Sequence, residues 1–169
     1  ETGSPGMAYL LENMEKKPDF CVVGEPSSLQ VGIAHKGGEH IKVRTKGKAA
    51  HASTPELGKN AITGMAKFIG AVEAQLKSSL QEKNHPLLGS PTLNIGTIKG
   101  GEKPNIVPES CEIIIDRRWL PEESIDSIYG EFKDLIKELE RKYEDLEIEI
   151  ERGELGDVDH VPFEIDENH

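Results

Sequence analysis

Aromatic residues are scarce in this chain: they make up 5% of it, with four phenylalanines, three tyrosines and one tryptophan. Stacking platforms for nucleobases are therefore not expected. Basic charge is also in deficit, since 20 lysines and arginines face 31 acidic residues and leave a net charge of −11. That balance disfavours nucleic acid and anionic membrane surfaces as partners. No stretch approaches the roughly 20 apolar residues a membrane span needs, and no basic segment leads into an apolar one as in a secretory signal. A cytoplasmic location, with no membrane partner and no nucleic-acid partner, is the expectation. The two cysteines, Cys21 and Cys111, each lie in an apolar run ("DFCVVG" and "SCEIIID"), where a buried reduced thiol is commoner than a disulfide. Glycine-rich phosphate loops, nucleophile elbows and paired-cysteine metal motifs are all missing.

What is present suffices for one core: 169 residues, 36% of them hydrophobic. A short helix over about residues 6–16 leads to "FCVVGEP", a continuous apolar run stopped by Gly24 and Pro26. Such a run predicts a strand buried on both faces, as in a parallel α/β sheet. From Leu29 the pattern changes to half-buried strands alternating with amphipathic helices. "QVGIAHKGGEHIKVRTKG" predicts a hairpin turning at Gly37 and Gly38, with Ile41, Val43 and Thr45 on one face of its second strand. A helix capped by Asn60 follows, its stripe formed by Ile62, Met65, Ala66, Ile69, Val72 and Leu76.

Two strands, "TLNIGTI" and "CEIIIDRRW", flank the loop "KGGEKPNIVPES". The next helix has the clearest stripe, Ile125, Ile128, Tyr129, Phe132, Leu135, Ile136, Leu139 and Tyr143, with Pro121, Glu122 and Glu123 marking its start. The strand "LEIEIE" closes the set, and the acidic tail after it carries no clear period. Strand, helix, strand, strand, helix, strand is the order of a ferredoxin-like α+β sandwich, four antiparallel strands with both helices on one face.

Four features carry candidate chemistry. Glu25, in "VVGEPSS", sits at the C-terminal end of a buried strand, where open α/β sheets place ligands and where a metal suits a carboxylate; a solvated turn carboxylate is the plainer reading. His51 stands among small residues in "KGKAAHASTPELGKNAI", open to close approach, or simply a loop histidine. Asn105 is framed by glycines and prolines in "GGEKPNIVPE", a stiff way to present one amide, although most such loops are only turns. Asp116 and Arg118 end a strand on one face, so Asp116 could hold Arg118 while the guanidinium grips a carboxylate; a surface salt bridge uses the same residues.

Taken together, "ETGSPGM", "VVGEPSS", "GKAAHASTPELGKNAI" and "GGEKPNIVPESCEIIIDRR" resemble, in that order, the motifs of the dizinc exopeptidases and deacylases. That family includes acetylornithine deacetylase, succinyl-diaminopimelate desuccinylase, aminoacylase-1 and carboxypeptidase G. The resemblance covers essentially the whole chain and implies a lid or dimerisation domain inserted into a metal-binding α/β domain. Residues 1–28 would end the first catalytic segment, 29–151 would form the lid and 152–169 would lead back. An "ETG" left by an expression vector is the alternative for the first residues.

The resemblance further implies that Glu1 and Glu25 ligate metal, in a full-length protein holding two divalent ions, zinc or cobalt. The general base would precede Glu1, so this chain alone is expected to hold no metal and to be inactive. His51 would reach a second subunit's site and donate to the developing oxyanion, while Asn105 and Arg118 would hold the substrate carboxylate from the same lid. Lys48 and Arg117 match no family role. The implied reaction is amide hydrolysis in N-acyl amino acids or small peptides, by a homodimer paired through the lid. A non-catalytic ferredoxin-like regulatory or interaction domain is the alternative.

Overall fold

A computed structural model describes residues 5–16, 19, 24, 28, 30–153 and 160–164. Its centre is β2 (Gly37–Lys46), whose alternation decides the layering. Ile41, Val43 and Thr45 are fully buried, while Lys42, Arg44 and Lys46 face the other way and stay partly exposed. Along one side β2 pairs antiparallel with β4 (Ser110–Trp119), from Gly37 opposite Trp119 to Lys46 opposite Ser110. On the other side it pairs with β5 (Glu147–Arg152). The fourth strand, β3 (Thr92–Gly100), adds to the far side of β4 with a bulge at Gly96. The order β3-β4-β2-β5, antiparallel throughout, is that of the ferredoxin-like sandwich.

The helices cover the face that holds Ile41, Val43, Ile113 and Ile115. Asn60 caps α2 (Ala61–Ala71) by accepting from the Thr63 N–H at 3.1 Å. The helix continues through a π turn at Val72–Leu76 into α3 (Lys77–Glu82). Its buried stripe is Ala61, Gly64, Met65, Phe68, Val72, Leu76 and Leu80; Ile62 and Ala66 of the expected stripe are exposed. From Phe68 to Leu80 the spacing is four, and each such step overshoots one α turn by about 40°. A π turn holds more residues, so it absorbs the drift and keeps the stripe on the sheet. The second cover, α4 (Ile125–Lys142), starts later than the acidic residues suggest. Ser124 and Ser127 form its capping box, and Ile128, Phe132, Leu135, Ile136 and Leu139 are buried.

The expected hairpin at Gly37 and Gly38 does not form. Both glycines lie within β2, and a Cβ at Gly37 would collide with the Trp119 indole. They serve close approach, not a turn. The short β1 (Ala34–His35) instead pairs with β6 (Phe163–Glu164), and the Gly38 N–H donates to the His160 carbonyl at 2.8 Å. The periodless tail thus returns to the start of the sheet. The helix α1 (Pro5–Asn13) covers most of the expected 6–16. The predicted "FCVVGEP" strand, Glu1, Glu25 and Cys21 lie outside the described residues. Cys111 is buried, and desolvation pushes its thiol pKa up.

Candidate functional site

Two loops meet beyond one end of the sheet. The first leaves β2 at Gly47, where a Cβ would collide with the Lys59 carbonyl, and its base is closed by Lys48 N–H to Lys59 O at 2.8 Å and Lys59 N–H to Lys48 O at 2.9 Å. Inside it the Thr54 N–H donates to His51 O at 2.9 Å, ahead of a 3-10 turn at Pro55–Leu57. The second loop joins β3 to β4 and turns at Gly101, whose φ of 70° suits glycine. Backbone bonds strap the two together: Ala52 N–H to Asn105 O at 3.0 Å, Val107 N–H to Ala50 O at 2.8 Å and Gly47 N–H to Glu109 O at 2.8 Å. His51 therefore sits across an antiparallel bridge from Ile106, next to Asn105.

Both side chains point to solvent on a fixed backbone. The Asn105 amide bonds to nothing among the described residues, while His51 Nδ1 lies 2.7 Å from Ser53 Oγ and 3.2 Å from the Ser53 N–H. A hollow of about 490 Å³, lined by Ala52, Pro55, Asn60, Ile62, Pro104 and Ile106 among others, opens beside the strap. The sequence singled out His51 and Asn105 separately; the structure makes them neighbours. Ser53 was missed, although its place two residues after His51 was visible.

Arg118 is elsewhere. It lies at the other end of β4, opposite Gly38 and Thr92 and on the face without helices. Asp116 takes its Nε at 2.7 Å and its Nη2 at 2.8 Å, which leaves Nη1 disengaged among the described residues. Eight residue steps separate Ser110 from Arg118, a span of about 26 Å in an extended strand. One copy of the chain cannot bring Arg118 to the His51 and Asn105 strap around one small molecule.

Beneath that far end lies a buried charge network. Arg117 has no exposed surface, and it donates to Glu123 Oε1 at 2.6 Å and to the Arg118 carbonyl. Glu123 also accepts from Lys83 Nζ at 2.9 Å and from the Leu120 N–H at 2.9 Å. Burial alone would raise the Glu123 carboxyl, but the Leu120 N–H, Lys83 and Arg117 outweigh it and hold it below its usual range. Nearby, Arg152 forks onto Glu39 through Nε and Nη2, each at 2.9 Å, and Tyr129 donates to the same carboxylate at 3.0 Å. Burial and that negative neighbour push the Tyr129 hydroxyl up.

Residues 33–144 match the profile of the peptidase dimerisation domain. The chain belongs to that family. Its curated relatives include acetylornithine deacetylases from Vibrio cholerae, 38% identical over 145 residues, and from Vibrio atlanticus, 39% identical over the same length. In each case the match covers 85% of this chain and 38% of the relative. The dimerisation-domain chain thus spans well under half the length of these relatives. Among solved structures, aminopeptidase PepT from Bacillus cereus matches with a TM-score of 0.57 at 22% identity, over 81% of this chain and 33% of that one. A hydantoinase/carbamoylase family amidase from Burkholderia ambifaria matches with a TM-score of 0.61 at 16% identity, over 80% and 31%. These likenesses show the shared fold of the dimerisation domain. No described helix is long and apolar enough to cross a membrane.

Proposed function

We propose that this dimerisation domain is the lid of a longer, metal-dependent amidohydrolase or exopeptidase that cleaves N-acyl amino acids or small peptides with a free carboxylate. The observation that carries the reading is the strapped pair of loops. They hold an exposed imidazole, whose only partner among the described residues is Ser53, and an exposed amide with none among them. His51 would donate to the carbonyl oxygen of a substrate bound in a second subunit, stabilising it as it becomes an oxyanion. Asn105, beside it, would hold the substrate from the same side.

Arg118 would bind the substrate carboxylate, but on the geometry above it serves a different site from the His51 of its own copy. A homodimer resolves this, because each site could take Arg118 from one copy and His51 with Asn105 from the other. The two sheet edges differ in fitness for such pairing. Along β5, Glu147 and Glu151 pair with Lys46 at 3.3 Å and Lys42 at 3.2 Å. The β3 edge is almost uncharged, with Ile98 exposed, which favours β3 as the edge that meets a second copy.

The division into residues 1–28, 29–151 and 152–169 belongs to this reading; the β1–β6 pairing sets residues 34–35 beside 163–164, as expected where the chain enters and leaves an inserted domain side by side, although it carries the contact beyond residue 151. Two divalent ions, zinc or cobalt, would belong to the longer protein. Among the described residues no three histidine, cysteine, aspartate or glutamate side chains could hold a metal, and Glu1 and Glu25 fall outside them. The described part does not fit a metal centre, and no step here passes through one. The test is His51→Ala in the longer protein, where kcat should fall about 100-fold with KM nearly unchanged. An unchanged kcat would remove His51 from the reaction.

A further inference from the structure

We propose that Ser53 is a positioning residue that holds His51 in the neutral tautomer with its proton on Nε2, making it a hydrogen-bond donor to substrate; this role rests on the reading of His51 above. The Ser53 backbone N–H points at His51 Nδ1 from 3.2 Å, and its hydroxyl oxygen lies 2.7 Å from the same nitrogen. A backbone N–H can only donate. Nδ1 must therefore offer its lone pair, and the single ring proton of the neutral imidazole falls to Nε2. The Ser53 hydroxyl, free to rotate, donates to the same lone pair.

Main-chain bonds place Ser53, and its hydroxyl, at the shorter distance from Nδ1, supplies most of the hold on the ring. Thr54 N–H to His51 O at 2.9 Å closes the turn that aims the Ser53 amide at the ring, and Ala52 N–H to Asn105 O at 3.0 Å fixes the turn against the second loop. His51 is exposed, so without these bonds its ring would sample both tautomers and several rotamers. With them, Nε2–H faces outward. To accept a proton or bind a metal through Nε2, the ring would have to move its proton to Nδ1, lose the bond from the Ser53 N–H and turn the hydroxyl from donor to acceptor. The site is thus built to donate, which is what a developing oxyanion needs.

Two measurements test this, one on the chain and one on the longer enzyme. Long-range proton–nitrogen correlation spectra of the nitrogen-15 labelled chain, recorded where imidazole is neutral, should show His51 Nδ1 as an acceptor-type nitrogen and Nε2 as N–H. In Ser53→Ala the two shifts should move toward each other as tautomer exchange is released, while Ser53→Thr should keep the wild-type pattern. In the longer enzyme Ser53→Ala should lower kcat about fivefold, with KM within about twofold, and Ser53→Thr should restore most of it. A proton on Nδ1 in the wild type overturns the proposal. So do unchanged ring shifts in Ser53→Ala, whether or not kcat falls. If the ring shifts are as expected but His51→Ala turns over normally, the tautomer stands while the catalytic reading, and Ser53's part in it, fails.

Discussion

The two ends of β4 are held by different means. At the Ser110 end, loops are fixed by backbone hydrogen bonds, and the side chains of His51, held only by Ser53 among the described residues, and of Asn105 are left exposed to solvent. At the Trp119 end, side chains anchored on the buried Arg117, Glu123 and Glu39 do the tying: Arg117, Glu123 and the half-buried Lys83 in one cluster, Glu39, the half-buried Tyr129 and the exposed Arg152 in another. Backbone fixation keeps functional groups available, whereas a buried charge network spends its polar groups on each other. Substitutions of the buried side chains at the Trp119 end should therefore cost stability, whereas substitutions of the exposed side chains, His51 and Asn105 at the Ser110 end and Arg118 at the other, should cost activity.

The largest stability effect is expected from Glu123→Ala. It leaves Arg117 buried without its partner, which typically costs about 3–5 kcal/mol and would be read as a lower urea midpoint. The same group sets an acid limit. Its folded pKa is lowered from the ordinary 4.5, so its contribution is complete above that value and is lost as pH falls through the lower folded one. Wild-type stability should drop across that acid window more steeply than that of Glu123→Gln. A Glu123→Gln protein with the same acid profile would count against the assignment.

Next in size is Gly47→Ala, at the neck of the first loop. The added methyl meets the Lys59 and Pro108 carbonyls and should cost roughly 1–3 kcal/mol. Unlike Glu123→Ala, it should also speed amide exchange at Ala52 and Val107, which bond across the strap. Smallest is His51→Ala, expected to stay within about 0.5 kcal/mol of wild type in a thermal melt, because an exposed side chain carries little packing. A large loss there would mean that the imidazole is structural and would erase the contrast between the two ends.

Periodicity made much of this fold legible in the sequence. The α4 stripe, the alternation of β2 and the order of elements all follow from local patterns of apolar residues. Gly37 and Gly38 misled because two glycines between polar residues look like a turn, whereas Gly37 makes room for the Trp119 indole, 82 residues on, and Gly38 lies close against the Arg118 guanidinium. The β1–β6 pairing was illegible for the same reason: strand partners far apart in sequence leave no local trace. At the site, the small residues around His51 and the stiff loop around Asn105 were visible one by one. Their meeting depends on backbone bonds between loops, which no side-chain pattern encodes. The separation of Asn105 from Arg118 was implicit, since an extended strand lies between them.

The central claim is that His51 and Arg118 of one copy serve different sites, and subunit mixing in the longer enzyme tests it most directly. His51→Ala and Arg118→Ala are each expected to be nearly inactive alone. If the two groups act from different copies, a mixed dimer has one site lacking both and one site intact. Random mixing should then restore about a quarter of the wild-type rate. If they act from the same copy, every site in the mixed dimer lacks one of them, and activity that stays at the level of the single variants would contradict the account.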